Sequence, residues 1–363
     1  MGRFTWTTRL VVLAAALPTS AFAEEFYLRV VDVGNAMCVV VRVPGGHHML
    51  YDAGNFNTGE CAAAVREIVG NDRLDLVVLS HSDADHVGEL PSILDGSDGH
   101  PGVAADLVVY TGAQGTARRT WPRVVATLER AKDRRTRVRN LGRQPLPNTR
   151  RPRPGRPRAA PLRVRLGEAT VTFVGGWHSW TLPSDPGFAP NESELRNAIS
   201  IVVRIDYHGH SVLLTGDTIG RRGNATEVDD ACRDAERWMV RDGNVPLDAE
   251  VLVGQHHGGD NSSSSCFIEA VTPRFVVFPA GNARHGHPRA RAVQRYLNRG
   301  VGRASIFRTD RGDDERGDEE WNEGLEPGCT DRPGDDDVEI LLPDRPAADV
   351  RARYRLPRVP CRN

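Results

Sequence analysis

The feature that most constrains the fold of this chain is a short apolar run followed at once by a cluster of acidic and imidazole side chains. Residues 74–79 read Leu-Asp-Leu-Val-Val-Leu, which predicts a buried β-strand. The next residues include four side chains able to bind a metal ion: His81, Asp83, Asp85 and His86. Because a loop at a strand end can direct such groups at one point, the spacing predicts that the first two bind one ion and the last two a second. The alternative is a polar loop without metal, and the motifs that follow weigh against it.

The remaining chain alternates strand-like and helix-like segments. Predicted strands cover residues 26–33, 37–43, 48–52, 74–79, 106–110, 162–166, 169–174, 199–207, 211–215, 251–254 and 274–278. Predicted helices cover residues 61–69, 87–94, 118–132, 267–271 and 289–298. Periodicity alone therefore indicates an α/β or α+β protein.

Several motifs in this chain together resemble one known superfamily. The run from His81 to His86 resembles the H-x-H-x-D-H signature of the metallo-β-lactamase superfamily, with Asp83 in place of the second His. That variant is similar to the hydrolase domain of ComEC-type DNA-uptake proteins and their free-standing secreted relatives. The other matching segments, in the family's order, are residues 32–35, 51–54, 197–202, 213–217, 255–259 with the serines 262–265, and 282–288. The resemblance covers roughly residues 26–310 and implies a four-layer αββα metallo-β-lactamase sandwich.

The resemblance also implies how the metal site is completed. Asp217, in Thr-Gly-Asp, corresponds to a carboxylate that bridges two ions. One of His256 and His257 should join it, and because neighbours on a strand point to opposite faces we favour His256, with His257 facing the substrate or lying behind the ligands. Asn197 stands where the wider superfamily has a further ligand His, which leaves an oxygen-rich set suited to Mn²⁺ as well as Zn²⁺. Asp52 is expected to orient the metal loop.

The predicted site thus comprises a set of ligands and a set of supporting residues. The predicted metal ligands for two divalent ions, Zn²⁺ or Mn²⁺, are His81, Asp83, Asp85, His86, Asp217 and His256. The supporting residues or alternative ligands are Asp52, Asn197 and His257.

Asp85 and His287 are the candidate catalytic residues. In a dinuclear site a bridging water becomes acidic, and Asp85 can accept its proton. His287, in Gly-His-Pro, either contacts a scissile phosphate or is a structural loop residue. We expect a secreted metal-dependent hydrolase that uses a metal-activated hydroxide, with a phosphodiesterase or nuclease favoured and a small-molecule or nucleic-acid phosphodiester as substrate. The alternatives are a phosphorylcholine esterase, lactonase or β-lactamase, or a non-catalytic binding protein of the same fold; no obligate protein partner is inferred.

The two ends of the chain predict an exported protein. Residues 1–23 combine Arg3 and Arg9 with a short apolar core and end in Ala-Phe-Ala, which is typical of a cleavable signal peptide and places the mature protein in the periplasm or outside the cell. No other apolar run is long enough to span a bilayer. We assign residues 24–310 to the hydrolase domain and residues 311–363 to an acidic segment, predicted to be mobile, with a C-terminal extension.

Basic charge is concentrated in one stretch of the chain. The formal net charge is −1, but residues 134–165 contain twelve Arg and no acidic residue. They include a Pro- and Arg-rich insertion at about residues 143–161. Arg pairs well with phosphate, so this stretch either contacts a polyanion or is a solvated loop, the second interpretation being slightly favoured.

The six Cys permit disulfides in an exported protein. We favour a pair between Cys329 and Cys361, which flank the C-terminal extension. Cys38 lies in a strand-like run, which is also compatible with a buried thiol.

Overall fold

The architecture is that of a computed structural model. It describes residues 25–55, 58–111, 119–143, 161–176, 192–221, 231–242, 245–281, 285–309, 311 and 335–356. The predicted signal peptide, residues 144–160 of the predicted insertion, most of the acidic segment, and both Cys329 and Cys361 lie outside these residues.

Fifteen strands and eight α-helices make up the described chain. The strands are β1 (Phe26–Val30), β2 (Cys38–Val43), β3 (His47–Ala53), β4 (Leu74–Leu79), β5 (Ala105–Tyr110), β6 (Arg137–Asn140), β7 (Arg163–Leu166), β8 (Ala169–Gly175), β9 (Val202–Tyr207), β10 (His210–Leu214), β11 (Val251–Val253), β12 (Phe275–Phe278), β13 (Ile306–Arg308), β14 (Val338–Leu342) and β15 (Arg351–Tyr354). The helices are α1 (Glu60–Val69), α2 (Ala84–Val87), α3 (Leu90–Asp95), α4 (Thr120–Asp133), α5 (Glu192–Ala198), α6 (Asp234–Arg237), α7 (Ser265–Val271) and α8 (Ala290–Asn298).

The strands form two mixed sheets. The first has the order β15-β14-β1-β2-β3-β4-β5-β6, antiparallel up to β3 and parallel from β3 to β6. The second has the order β13-β12-β11-β10-β9-β8-β7, with β10 to β13 parallel. In sheets with parallel strands, functional loops gather at the carboxyl ends of those strands. The loops after β4, β10 and β11 therefore lie where a functional site is expected.

The two faces of the first sheet belong to different parts of the core. Along β3 and β4, Tyr51 and Val78 pack in the cluster shared with the second sheet, whereas Leu50 and Val77 pack with helices α1, α3 and α4. This alternation follows from the two-residue period of a strand. Helices α7 and α8 add Phe267 and Tyr296 to the shared cluster from the far side of the second sheet. The layers are helix, sheet, sheet, helix, so the predicted four-layer αββα sandwich is confirmed.

The C-terminal part of the chain, beyond the predicted domain boundary at residue 310, extends the first sheet. Strand β14 pairs along all of β1, from Phe26 opposite Leu342 to Val30 opposite Val338, and β15 pairs with β14. Residues 338–354 therefore complete the first sheet, because the apolar residues of β14 cover the edge that β1 would otherwise expose.

Two further details differ from the sequence predictions. Cys38 is not a buried thiol but is joined to Cys61, which ties β2 to α1, and a second disulfide joins Cys232 to Cys266. The helix predicted over 87–94 is divided into α2 and α3. Among the described residues, no helix is long and apolar enough to cross a membrane.

Candidate metal centre

The loop after β4 is held by the buried carboxylate of Asp52. One oxygen accepts a hydrogen bond from the Ser80 backbone N–H at 2.6 Å, and the other accepts one from Ser80 Oγ at 2.7 Å and lies 2.7 Å from His86 Nδ1. Burial raises the pKa of Asp52, and the hydrogen bonds from His86 and Ser80 oppose that rise. Asp52 thus fixes the ring of His86 through Nδ1 and leaves its Nε2 facing the pocket.

The first group of candidate ligands surrounds one oxygen of Asp217. His86 Nε2 lies 3.2 Å and His257 Nε2 lies 3.4 Å from Asp217 Oδ1. Asp85 Oδ2 is 3.7 Å from His257 Nε2 and 4.0 Å from His86 Nε2. One donor atom from each of these four residues lies within 4.8 Å of every other. This is the arrangement expected of side chains that share one divalent ion.

The second group lies on the other oxygen of the same carboxylate. His256 Nε2 is 3.7 Å and His81 Nε2 is 3.9 Å from Asp217 Oδ2. Asp83 Oδ2 is in turn 3.9 Å from His81 Nε2, and the Asn197 amide Nδ2 is 3.1 Å from His256 Nε2. The two oxygens of Asp217 therefore face two different sets of donors, as a bridging carboxylate would.

Asp217 reaches this position because Gly216 precedes it. Gly216 has φ 54°, and a Cβ there would lie 2.7 Å from the Cβ of Ser80 in the loop after β4. Only glycine allows the loops of the two sheets to approach so closely. Ser200 supports the same contact, because its Oγ accepts a hydrogen bond from the Asp217 N–H at 3.1 Å and lies 3.3 Å from His81 Nδ1.

The structure changes the interpretation of the adjacent residues His256 and His257. The prediction placed them on a strand with opposite orientations, and this is wrong, because both have left-handed backbone conformations, φ 46° and 55°, in a short 3₁₀ turn after β11. Both rings can therefore face the carboxylate of Asp217. His257, rather than the favoured His256, lies in the group with Asp85, where its Nδ1 is 2.6 Å from the Pro279 carbonyl.

Buried polar atoms without partners show that this site suits a cation. Among the described residues, the Nε2 atoms of His81, His86 and His257 and Oδ1 of Asp217 are buried and form no hydrogen bond. Leaving such atoms unsatisfied costs about 1–3 kcal/mol each. One or two divalent ions would satisfy all four, and imidazole with carboxylate donors fits zinc, manganese or iron. The residues present therefore fit a divalent-metal site.

The titration behaviour of the site reflects its mixture of imidazoles and carboxylates. Burial opposes charge on His86, but the carboxylates of Asp217, Asp52 and Asp85 outweigh it and raise the pKa of His86 well above its usual value. Burial and the neighbouring His86 lower the pKa of His81 to about 3. His257 and His86 hold the pKa of Asp217 well below its usual value, against the effect of burial.

The two candidate catalytic residues line the pocket in front of Asp217. The side chain of Asp85 is 30% exposed, so one end of its carboxylate is open to a substrate. The ring of His287 stacks on that of His257 with centroids 6.1 Å apart. Burial, reinforced by the neighbouring histidines, lowers the pKa of His287 to about 2, so its ring is neutral.

Sequence reasoning missed the supporting residues Ser80, Ser200 and Arg196. Ser200 and Arg196 lie in or beside the segment 197–202, and Ser80 directly precedes His81, so their proximity to the motifs was the available signal. Arg196 forms an ion pair with Asp83.

A paired-sheet αββα fold with a His and Asp cluster at its strand ends defines a class of metal-binding proteins. Comparison with known families agrees: residues 31–189 match the model of the Metallo-beta-lactamase superfamily. The match covers less than half of the chain, so residues 31–189 resemble a metallo-β-lactamase superfamily domain.

One curated relative is the Competence protein ComA of Neisseria gonorrhoeae. The two sequences are 25% identical over 319 residues, which make up 85% of this chain. The match spans only 35% of the length of ComA.

The solved structures that match this chain do so with low sequence identity and low TM-scores. The metallo-beta-lactamase fold protein YhfI from Bacillus subtilis is 11% identical, with a TM-score of 0.41, 78% of this chain covered and 97% of YhfI. The diiron β-hydroxylase CmlA from Streptomyces venezuelae is 15% identical, with a TM-score of 0.41, 79% of this chain covered and 53% of CmlA. Tm1679, described as a metal-dependent hydrolase of the beta-lactamase superfamily, is 13% identical, with a TM-score of 0.41, 84% of this chain covered and all of Tm1679.

Proposed function

We propose that this protein is a hydrolase that uses two divalent metal ions held on either side of Asp217. The observation that carries the proposal is the division of donors between the two oxygens of that carboxylate. Asp85, His86 and His257 surround Oδ1, whereas His81 and His256 face Oδ2. A structural ion would need only one closed set of about four ligands, so two open sets favour catalysis.

The chain supplies the remaining parts of a hydrolytic site. Bound divalent ions would provide Lewis acidity and make a water molecule acidic near neutral pH. The partly exposed carboxylate of Asp85 is placed to accept a proton at the pocket. The neutral ring of His287 can form a hydrogen bond with a substrate group without adding charge. Asp52 holds the ring of His86 so that this geometry is present before substrate binds.

We propose a phosphodiester in DNA or RNA as the substrate. The likeness to a competence protein over 85% of this chain supports a nucleic-acid substrate. The twelve Arg in residues 134–165 support it as well, because guanidinium groups pair with phosphate oxygens.

The function is tested by metal analysis of the purified protein followed by a substrate screen. The screen contains bis-p-nitrophenyl phosphate, single-stranded DNA, RNA, nitrocefin and a lactone. We expect two divalent ions per chain, cleavage of phosphodiesters, and complete loss of cleavage in folded Asp85→Ala protein. Full activity in that variant, or no bound metal when divalent metal is in excess, would refute the proposal that the protein is a metal-dependent hydrolase. If the protein cleaved nitrocefin or the lactone but no phosphodiester, the proposed nuclease activity would be wrong and the alternative β-lactamase or lactonase activity would take its place.

We predict that the insertion contributes to polynucleotide binding. Deleting residues 144–160 should raise KM for polynucleotide and flatten its salt dependence, because fewer counterions are released on binding. Cleavage of bis-p-nitrophenyl phosphate should stay nearly unchanged. Steady-state kinetics of both substrates from about 50 to 200 mM salt give the answer, and equal kinetics for the deletion and the intact protein would show that the loop is a bystander.

We further propose that the protein works outside the cytoplasm. The disulfides Cys38–Cys61 and Cys232–Cys266 support this, because such bonds persist mainly in oxidising compartments. N-terminal sequencing of protein recovered from the periplasm or medium should begin at Glu24. Recovery of all of the protein from the cytoplasm with residues 1–23 attached would contradict export.

A further inference from the structure

Asp83 is engaged by two side chains of helix α5. The Arg196 guanidinium pairs with its carboxylate through Nε to Oδ1 and through Nη2 to Oδ2, the second contact at 3.4 Å. Ser193 Oγ donates to the same Oδ2 at 3.3 Å. Ser193 and Arg196 are three positions apart, so they lie on the same face of the helix. The side chains of Asp83 and Arg196 are each only 16% exposed, which makes this a shielded pair rather than a surface ion pair.

The pair has a consequence for charge in the pocket. Asp83 occupies the position where the superfamily signature has a neutral His, so this chain carries one more negative charge beside Asp85 and Asp217. Carboxylates this close repel one another. The repulsion would favour a position of the Asp83 side chain turned away from Asp85 and Asp217. The guanidinium of Arg196 balances the added charge.

The pair also has a consequence for geometry. Arg196 Nε pairs with Oδ1 of Asp83. Oδ2, which receives only the longer contacts from Arg196 Nη2 and Ser193 Oγ, lies 3.9 Å from His81 Nε2, on the side of the pocket where Asp217 Oδ2 lies. A forked, planar guanidinium fixes the plane of a carboxylate in a way that a single ammonium group does not.

We propose that Arg196 is a positioning residue that makes Asp83 a usable metal ligand. It compensates the charge that Asp brings in place of His and holds Oδ2 toward His81 and Asp217. This inference rests on the proposed dinuclear centre. It predicts that Arg196 matters for metal binding only as long as residue 83 is Asp.

A double-mutant cycle on zinc affinity tests the inference. The four proteins are wild type, Arg196→Met, Asp83→His and the double variant, each measured by chelator competition and metal stoichiometry. We expect Arg196→Met to lower the affinity for one of the two zinc ions by about 10- to 100-fold, the usual effect of losing a residue that orients a ligand. In the Asp83→His background the same Arg196 substitution should have no further effect, because there is no carboxylate left to hold.

Two further variants separate positioning from folding. Arg196→Lys keeps the charge but not the fork, so it should recover only part of the affinity. Arg204→Met is the matched control, since the Arg204 side chain is 14% exposed and pairs with Asp206 at 3.0 Å on β9. It should leave both zinc affinities unchanged.

Three outcomes would overturn the inference. Equal loss of zinc from Arg196→Met in both backgrounds would mean that Arg196 does not act through Asp83. Unchanged zinc affinity with a raised KM would make Arg196 a substrate-binding residue. If both Arg196→Met and Arg196→Lys lost both ions and had a lowered Tm, Arg196 would contribute to the stability of the fold rather than to the position of Asp83. Because the measured quantity is metal affinity, an absence of hydrolysis would count against the proposed function alone.

Discussion

At the scale of single residues, the least exposed carboxylate of the site does the most to organise it. Asp52 is fully buried and has a left-handed backbone, φ 59°. Its two oxygens fix both the start of the metal loop, through Ser80, and the ring of His86. The sequence predicts this orienting role, and these are the contacts through which Asp52 would perform it.

We predict that Asp52→Asn weakens metal binding by about 10- to 100-fold, as other losses of ligand-orienting residues do. Asn tolerates left-handed backbone, so the substitution removes the charge with little strain. Chelator competition measures the loss, and Asp75→Asn, at a partly exposed carboxylate that accepts from the His48 N–H, is the control. Unchanged affinity in Asp52→Asn would mean that His86 is held in place by other contacts.

The two adjacent histidines give a second residue-scale prediction. His257→Ala should remove the ion next to Asp85, and His256→Ala should remove or weaken the ion next to His81, because each ring faces a different oxygen of Asp217. Metal stoichiometry of each variant should fall from two toward one, and the double variant should bind neither ion tightly. If His256→Ala kept both ions at wild-type affinity, the role of His256 would be limited to hydrogen bonding with Asn197.

At the scale of elements, the second sheet is supported by a buried acidic group between two helices. Glu236, on α6, is fully buried and accepts hydrogen bonds from the N–H and Oγ of Ser264, which directly precedes α7. Burial raises the pKa of Glu236 to about 7, although these bonds and Arg295 oppose the rise. The disulfide between Cys232 and Cys266 joins the segment that leads into α6 to α7.

This environment predicts a pH-dependent contribution to stability. Glu236 binds its proton more tightly in the folded state than in the unfolded state, so its contribution is fully present below about pH 4.5 and is lost as the pH rises to about 7. The expected loss is about 3 kcal/mol. Glu236→Gln should therefore be more stable relative to wild type at pH 8 than at pH 5, as measured by urea unfolding of metal-free protein.

A carboxylate with the opposite shift provides the control for this measurement. Pairing with Arg29 lowers the pKa of Glu67, against a smaller effect of burial, so its contribution is present above its unfolded pKa and is lost as the pH falls. Because pH 5 and pH 8 both lie above that unfolded pKa, Glu67→Gln should differ from wild type by nearly the same free energy of unfolding at the two pH values. If the difference in free energy of unfolding between Glu236→Gln and wild type did not change with pH, the pKa of Glu236 would not be raised in the folded protein.

At the scale of the whole molecule, the first sheet is completed by two strands from the end of the chain. Val338, Ile340 and Leu342 of β14 are all fully buried, although they follow the predicted end of the hydrolase domain. Each such side chain contributes about 2 kcal/mol by its burial. The C-terminal strands are therefore part of the folded core.

We predict that a chain ending at residue 310 does not fold cooperatively, because it exposes the edge and part of the face of β1. A chain ending at residue 356, which keeps β14 and β15, should still unfold cooperatively, as the complete chain does. Circular dichroism and urea titration compare the three proteins. A soluble, cooperatively folded 310-residue chain would show that the first sheet is stable without its last two strands.

Much of the fold and part of the site could be predicted from local sequence. The strand Leu74–Leu79 and the four side chains after it are encoded within thirteen consecutive residues, and the structure places those strand bounds as predicted. Strand periodicity and turn residues act over such short distances, so they are visible without knowledge of the fold. The order of the motifs was sufficient to indicate the αββα class.

What only the tertiary structure decided are contacts between distant residues. Asp83 and Arg196 are 113 positions apart, and β1 and β14 pair across more than 300 residues. The orientation of His256 and His257 depended on a left-handed turn that the prediction treated as a strand. The sequence by itself determined which side chains can bind metal and where each lies along the chain, because composition and spacing are local properties. Their division between the two oxygens of Asp217 was decided by the packing of one sheet on the other, since that packing brings the loop after β4 to the loops after the paired strands β10 and β11.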